Sequence, residues 1–120
     1  MAKSNELCSM SLSYPEEITL SVICGKWKFR ILYRLADGPK RFNELQRMLT
    51  NIAPRTLTNQ LRELEDYGII KRKEFPQIPP KVEYSLTKTG ETLLPTLDML
   101  SKWGSKYCSI IEAEMSSKKK

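Results

Sequence analysis

The spacing of apolar residues along the chain predicts several helices and one two-stranded ribbon. The first helix begins at Pro15, because proline lacks an amide hydrogen and fits the first helical turn, and it runs to about residue 24. A second helix follows after Gly25, with turn residues near Pro39 ending it. Its buried side is marked by apolar residues that recur every fourth position, namely Trp27, Ile31 and Leu35.

A short helix is predicted next, in the 40s of the sequence. Arg41 and Phe42 form a brief extended segment before it, and Asn43 caps its start. Gln46, three residues later, is placed to return a hydrogen bond, as in a capping box. A turn over residues 50–53 then leads to a longer helix, so the two helices are arranged as a helix-turn-helix.

The longer helix begins at Pro54 and ends at Gly68, which is suited to a left-handed residue. At 3.6 residues per turn this helix has two chemically different sides. The inner side carries Leu57, Leu61 and Leu64, and the outer side carries Arg55, Asn59, Arg62 and Asp66. A helix anchored by leucines therefore presents a polar surface.

Two strands follow, over residues 69–75 and 81–86, joined by a proline-rich tip over residues 76–80. The order of short helix, turn, longer helix and ribbon predicts a winged helix-turn-helix. The fold class is mainly α with a small β-wing (α+β).

A last helix is predicted from about Thr89. Pro95 lies inside this stretch, so either the helix begins later or it bends there. Its apolar stripe is longer than a small core needs, so we expect the first and last helices to pack against a second copy as a two-fold dimer. The expected interface residues are Ile18, Val22, Leu97, Leu100, Trp103, Tyr107 and Ile111.

The length of 120 residues is typical of one domain. We expect a flexible arm over residues 1–14, one domain over residues 15–115 and a disordered basic tail over residues 116–120. Positive charge is concentrated in the centre, since residues 25–90 hold 14 Lys and Arg against 7 Asp and Glu. Such a surplus favours a polyanion such as double-stranded DNA as partner.

Several classes of protein are excluded or disfavoured by composition. The chain has no histidine, which rules out Ser-His and Cys-His nucleophilic pairs, and its three cysteines lack metal-site spacing. We expect no enzyme activity, no metal and no cofactor. No apolar run is long enough to span a membrane and no secretory start is visible, so the expected compartment is the cytoplasm.

The predicted DNA contacts begin with the outer side of the longer helix. Arg55 is placed to read guanine and Asn59 to read adenine, while Arg62 grips the backbone. Thr56 and Thr58 are expected to bond phosphates or touch a thymine methyl group. In the ribbon and elsewhere, the candidates are Lys71, Arg72, Lys73, Lys81, Lys26 and Lys40 for phosphates, and Gln77 and Ile78 at the tip for the minor groove. Pro54 completes the recognition segment.

The strings ICGKWKFRILYRLADGPKRFNELQ, RTLTNQLRELEDYGIIKR and VEYSLTKTGETLLPTLDMLSKW closely resemble the HxlR family of winged-helix transcription regulators. The resemblance covers about nine tenths of the chain. It implies a homodimer, held by the first and last helices, that binds a partly palindromic operator.

Two positions depart from that family. Members commonly have cysteine directly before the proline of the first helix, a thiol that senses oxidants in several of them, and here Tyr14 stands there. Ala53 replaces the usual serine or threonine cap of the recognition helix, which removes about 1 kcal/mol of stabilisation. Cys8 and Cys108 are the candidate redox residues, Cys108 having the alternative of a small apolar packing residue, and Cys24 is expected to be buried.

The expected function is a sequence-specific DNA-binding regulator, a repressor with a possible response to oxidants or electrophiles. The alternative is a winged-helix module that binds another protein and whose basic surface is incidental. A third possibility is loose attachment of the lysine tail, residues 118–120, to an anionic membrane.

Overall fold

The computed structural model describes residues 14–118. Helices α1 and α2 come first, followed by a short strand, the two helices of the helix-turn-helix, a hairpin and two further helices. In chain order the elements are α1 (Pro15–Ile23), α2 (Lys28–Leu35), β1 (Lys40–Arg41), α3 (Phe42–Met48), α4 (Pro54–Asp66), β2 (Ile70–Phe75), β3 (Lys81–Leu86), α5 (Lys88–Glu91) and α6 (Leu94–Lys118). This order confirms the predicted winged helix-turn-helix.

The sheet has three antiparallel strands in the order β1-β3-β2. The β2–β3 hairpin is paired from Ile70 opposite Leu86 at its base to Phe75 opposite Lys81 near its tip. Strand β1 adds Lys40 opposite Tyr84 on the other side of β3. The predicted extended segment therefore exists, but it lies one residue earlier than expected because Phe42 already belongs to α3.

The core is formed by apolar side chains from α2, α3, α4 and the base of the hairpin. Each fully buried leucine or isoleucine contributes about 1.5–3 kcal/mol through removal of apolar surface from water. Both predicted helical stripes are confirmed, since Ile31, Leu35, Leu57, Leu61 and Leu64 are at most 2% exposed. The remaining core residues are Ile23, Leu32, Leu45, Leu49, Ile52, Ile69, Ile70, Leu86 and Leu97.

The predicted cap of the short helix was wrong. Helix α3 begins at Phe42, so the capping position is Arg41 and not Asn43. Glu44 returns the hydrogen bond, since its Oε1 accepts from the Arg41 backbone N–H at 3.1 Å. The reason is that the chain leaves β1 directly into the helix, which moves the capping box toward the amino end.

The junction between α4, the hairpin and α5 is fixed by Thr87. Its hydroxyl donates to the carbonyl of Gly68 at 2.7 Å and accepts from the Gly90 backbone N–H at 3.0 Å. Gly68 ends α4 with φ 75°, in the left-handed region predicted for it. Gly90 is packed so closely that an added Cβ would overlap the Ile69 carbonyl oxygen.

The last part of the described chain is a short helix followed by a long one. Helix α6 begins at Leu94 and has Pro95 in its first turn, so the alternative of a later start is confirmed. Helix α6 continues to Lys118, and the expectation of disorder was therefore wrong for residues 116–118. No helix within residues 14–118 combines the length and the apolar content needed to cross a bilayer.

Candidate nucleic-acid interface

Helix α4 separates its side chains into a buried side and an outer side, as the sequence predicts. Leu57, Leu61 and Leu64 are at most 1% exposed and hold the helix against the core. On the opposite side Arg55, Asn59, Arg62 and Asp66 are exposed. The outer side therefore offers guanidinium and amide groups on a rigid support, which is the arrangement needed to read base edges in a major groove.

The start of α4 has no side-chain cap and is shaped by its backbone. Ala53 occupies the capping position without a side-chain acceptor, and Pro54 is in the first helical turn, as predicted. Asn51 in the preceding turn is left-handed with φ 72°. Because the first turn of a helix leaves backbone N–H groups without intrahelical partners and carries partial positive charge, this end favours an anion such as a phosphate.

The two threonines near this end differ in what they can offer. Thr56 is half-buried beside Arg55. The Thr58 hydroxyl donates to the Pro54 carbonyl at 3.0 Å. Phosphate oxygens only accept hydrogen bonds, so Thr58 in this rotamer has no proton left for a phosphate, and its methyl group is the part free to touch a thymine.

The ribbon has two chemically different faces, because successive side chains on a strand point to opposite sides. Arg72 and Glu74 share the face of Tyr84, and the Arg72 guanidinium donates to Glu74 Oε1 at 2.6 Å. The hydrogen bond to Glu74, assisted by Tyr84, raises the pKa of Arg72. Arg72, a predicted phosphate contact, is therefore already paired with a carboxylate.

The other face of the ribbon carries Lys71, Lys73 and Phe75 on β2 and Lys81 on β3. The ammonium groups of Lys73 and Lys81 lie 5.0 Å and 4.8 Å from the centre of the Phe75 ring. Lys81 also lies 3.2 Å from Glu83 Oε2. Among these lysines, Lys73 has no carboxylate partner in the described part of the chain and lies close to the tip, so it is a cation well placed to meet a phosphate.

The tip of the ribbon projects into solvent. Ile78 is fully exposed and Gln77 is exposed beside it. Of the two lesser phosphate candidates, Lys26 is exposed and its ammonium lies 4.9 Å from the Trp27 ring. Lys40 is half-buried, and its ammonium donates to the Gly38 carbonyl at 3.3 Å. Lys40 is therefore directed toward its own loop.

The expected dimer residues fall into two groups. Leu97 is 1% exposed, so it was wrongly predicted as an interface residue. The reason is that the first turns of α6 lie on the domain and only later turns leave it. Val22 is half-buried and packs partly against the core, and its place in the interface stays a prediction. The second group is exposed or half-buried in the single chain and comprises Ile18, Leu100, Trp103, Tyr107 and Ile111.

The exposed part of α6 carries several large apolar side chains. The rings of Trp103 and Tyr107 stack with centroids 5.2 Å apart, and these residues are 65% and 50% exposed. Met99, Ile110 and Met115 extend the same helix with exposures of 71%, 47% and 57%. Large apolar side chains exposed together on one helix are typical of protein–protein contacts.

Cys24 and Cys108 are exposed free thiols. The expectation that Cys24 is buried was wrong, because α1 ends at Ile23 and Cys24 continues in extended backbone away from the helix. Cys8 lies outside the described residues. Among residues 14–118 no cluster of His, Cys, Asp and Glu could hold a metal ion.

One contact that positions the site was not found from sequence. Lys28 on α2 forms an ion pair with Glu63 on α4, with Nζ 2.5 Å from Oε2. The Lys28 side chain is only 12% exposed. No local pattern connects these residues, since they come together only when the two helices pack.

Comparison with known proteins agrees with this geometry. Residues 22–112 match the model of the HxlR-like helix-turn-helix family. The HTH-type transcriptional regulator BH0655 of Halalkalibacterium halodurans is 57% identical over 93 residues, which cover 77% of this chain and 82% of that protein. The HTH-type transcriptional regulator YdeP of Bacillus subtilis is 54% identical over 93 residues, covering 78% and 73%.

Solved structures show the same fold. The redox regulator HypR in its reduced form has a TM-score of 0.79 and 49% identity, over 82% of this chain and 98% of that one. The reduced form of the regulator YodB from B. subtilis has a TM-score of 0.72 and 33% identity, over 79% and 93%. All four of these relatives are named as regulators, and none of the four is named as an enzyme.

Proposed function

Because this chain belongs to the HxlR-like helix-turn-helix family of DNA-binding transcription regulators, we propose that it is a homodimeric repressor of a pseudo-palindromic operator. The observation that carries the proposal is the division of α4 into a buried leucine side and an exposed side with Arg55, Asn59 and Arg62. Each α4 helix enters one major groove, and the two grooves lie about 34 Å apart on one side of the duplex.

Each outer residue of α4 has a separate role in the proposal. Arg55 is near the helix start, where it reaches deepest, and donates to O6 and N7 of a guanine. Asn59 lies one turn later and pairs with an adenine. Arg62 lies farther from the entering end and clamps the phosphate backbone, which fixes the register without reading sequence.

The ribbon touches the neighbouring backbone through the face that carries Lys71, Lys73 and Lys81. Arg72 is assigned a smaller part than the sequence suggested, because Glu74 already neutralises it. Gln77 and Ile78 at the exposed tip reach into the minor groove. These contacts supply affinity that depends on salt, while α4 supplies the preference for one sequence.

The dimer is proposed to form where α1 and the exposed part of α6 meet their copies. The stacked pair Trp103 and Tyr107 is the centre of this contact, since buried aromatic residues dominate the energy of protein interfaces. Covering them removes an apolar stripe from water. Repression needs only that the dimer occupies a promoter, whereas activation requires an added contact with RNA polymerase.

The experiment has two stages. The genomic DNA that co-purifies with the protein is first sequenced to find the operator, and duplexes of operator and scrambled sequence are then titrated at about 50 mM and about 200 mM salt. A repressor prefers the operator at both concentrations and loses about 10³–10⁵ in affinity between them if about six to ten phosphates are contacted. Equal affinity for both duplexes contradicts the proposal and favours a protein-binding module.

A thiol response is a second candidate, because Cys108 is exposed on α6 and two forms of the similar regulator HypR are named as reduced and oxidized. Diamide would accept two electrons and two protons as two thiols form a disulfide between subunits at Cys108, and this cross-link on the helix of the proposed dimer would change the angle between the two α4 helices. The test compares operator occupancy with and without diamide in Cys8→Ser and Cys108→Ser variants. Unchanged occupancy in the unmodified protein excludes a thiol response to this oxidant.

A further inference from the structure

A cavity of about 360 Å³ lies between α2 and the end of α3, separate from every residue assigned above to DNA or to the dimer. We call it the α2–α3 cavity. Its volume is at the lower end of the range of about 300–1,000 Å³ that is typical of small-molecule sites. Its walls include Phe29, Arg30, Tyr33 and Arg34 from α2 and Met48 and Thr50 from α3 and the following turn.

One part of the wall is aromatic and apolar. Phe29 and Tyr33 stack with ring centroids 5.9 Å apart and an angle of 13° between their planes. Both are one turn apart on α2, so the helix holds the two rings in a fixed relation. Phe29 and Met48 are half-buried, which leaves part of each to contact an occupant. A flat ring is the shape that packs best against such a surface.

The second part of the wall is cationic. Arg30 and Arg34 are also one turn apart and both are exposed. None of the described residues that line the cavity is acidic. Both arginine side chains line the cavity, and the Arg30 guanidinium also lies 5.3 Å from the centre of the Trp27 ring. Arginines that line an aromatic cavity favour a planar anion, because a guanidinium binds a carboxylate through two parallel hydrogen bonds. A DNA backbone supplies the charge but has no aromatic ring to pack against Phe29 and Tyr33.

We propose that the α2–α3 cavity binds a small aromatic anion of one or two rings. The ring packs on Phe29, Tyr33 and Met48, and the anionic group lies between Arg30 and Arg34. This is a site for a small-molecule effector, in addition to the DNA-binding surface.

The cavity is placed to influence α4. Leu49 and Thr50 belong to its wall and lead directly into the turn before Pro54. A ligand that bridges α2 and this turn changes how α4 is held, and α2 also contacts α4 through Lys28 and Glu63. This coupling rests on the proposed function. Linkage then requires that ligand and operator change each other's affinity by the same factor.

Binding is tested on the full chain without DNA, using methyl-labelled methionine and nuclear magnetic resonance. The Met48 signal, assigned with Met48→Leu, is followed during titration with benzoate and 1-naphthoate. Benzamide has the ring without the charge, and cyclohexanecarboxylate has the charge without an aromatic ring. We expect a saturable Met48 shift with the two aromatic anions and affinities at least about tenfold weaker for both controls, which corresponds to about 1.4 kcal/mol.

Variants locate the site. Arg30→Gln and Arg34→Gln each weaken benzoate binding about tenfold, and since both residues are exposed these changes leave the core intact. Arg47→Gln is the matched control, because it removes the same charge from α3 outside the cavity wall. Its benzoate affinity stays within about twofold of the unmodified protein.

Three results overturn the proposal: no Met48 shift with either aromatic anion at millimolar concentration, equal affinity for benzoate and benzamide, or arginine variants that lose operator affinity and keep benzoate affinity. The last result assigns Arg30 and Arg34 to DNA phosphates. If the protein shows no preference for the operator but its Met48 signal shifts saturably with benzoate, the ligand site is supported. Only the proposed function is then contradicted. The coupling is supported if benzoate changes the affinity for the operator and the operator changes the affinity for benzoate by the same factor. It is excluded if neither affinity changes.

Discussion

Lys28 Nζ lies 2.5 Å from Glu63 Oε2, which joins α2 to the side of the recognition helix α4. Both side chains are partly shielded, with exposures of 12% and 36%. The contact lies between the outer face of α4 and its buried leucines, so it restrains rotation of the helix about its own axis. The direction in which Arg55 and Asn59 point therefore depends on an ion pair as well as on apolar packing.

Lys28→Met is expected to lower the free energy of unfolding by about 1 kcal/mol, between the small value of an exposed pair and the larger value of a buried one. Operator affinity should fall because Arg55 and Asn59 are held less firmly, and the preferred bases should stay the same because both reading side chains are still present. Urea unfolding and operator titrations measure the two effects. Lys102→Met is the control, since it removes the exposed pair with Asp98 on α6. If both variants behave alike, Lys28 has no positioning role.

Gly90→Ala is expected to destabilise the protein by about 3 kcal/mol, because the added Cβ overlaps the Ile69 carbonyl oxygen and backbone has to shift. The displaced segment joins α5 to the base of the ribbon. Thr89→Ala, at an exposed neighbouring position, should stay within about 0.5 kcal/mol. Urea unfolding measures the free energy of unfolding of both variants. Equal values would contradict the prediction, because they would show that the backbone at this junction shifts at little cost.

The two faces of the ribbon should differ in their contribution to DNA binding. Lys73→Ala is expected to reduce the slope of log affinity against log salt by about 0.9 per protomer, the value for one phosphate that is no longer neutralised. Arg72→Ala should change the slope less, because Arg72 is already paired with Glu74. Operator titrations at several salt concentrations give the slopes. A larger effect of Arg72→Ala would mean that the opposite face of the ribbon meets the backbone.

Trp103→Ala is expected to weaken the homodimer by at least about 2 kcal/mol, or about thirtyfold in its dissociation constant. The reason is that the substitution removes the aromatic stack at the centre of the exposed stripe of α6. Sedimentation equilibrium measures the constant. Lys102→Ala, on the same helix and exposed, should leave it unchanged. A monomeric unmodified protein, or two variants with equal constants, would remove the support for this interface.

The parts of the fold that sequence predicted are those fixed by neighbouring residues. Pro54, the leucine spacing of α4 and Gly68 define one helix locally, and its exposed side follows from geometry alone. The hairpin strands are also local. Even the Arg72–Glu74 pair had a usable signal, since residues two apart on a strand share a face.

The parts that sequence missed depend on interactions between distant segments. Lys28 and Glu63 meet only because α2 packs on α4. The predicted extended segment becomes a third strand because Lys40 pairs with Tyr84, and no local pattern indicates that pairing. Leu97 and Trp103 belong to one apolar stripe, but Leu97 is buried and Trp103 is exposed. This difference depends on where α6 leaves the domain. The α2–α3 cavity is likewise a product of packing.

The proposed function depends above all on the exposed side of α4 reading base pairs. This is measured through the affinity of the unmodified protein and of Arg55→Ala for a set of operators, each with one base pair replaced. Lys106→Ala, with one charge fewer on α6, is the control and should keep every preference. When one particular G·C pair is replaced, we expect the unmodified protein to lose about 1–3 kcal/mol of binding free energy. Replacing that pair should not change the affinity of Arg55→Ala, whereas replacing the other pairs should affect both proteins equally. If Arg55→Ala shows the same losses as the unmodified protein at every position, Arg55 does not read the operator and its assigned role is wrong.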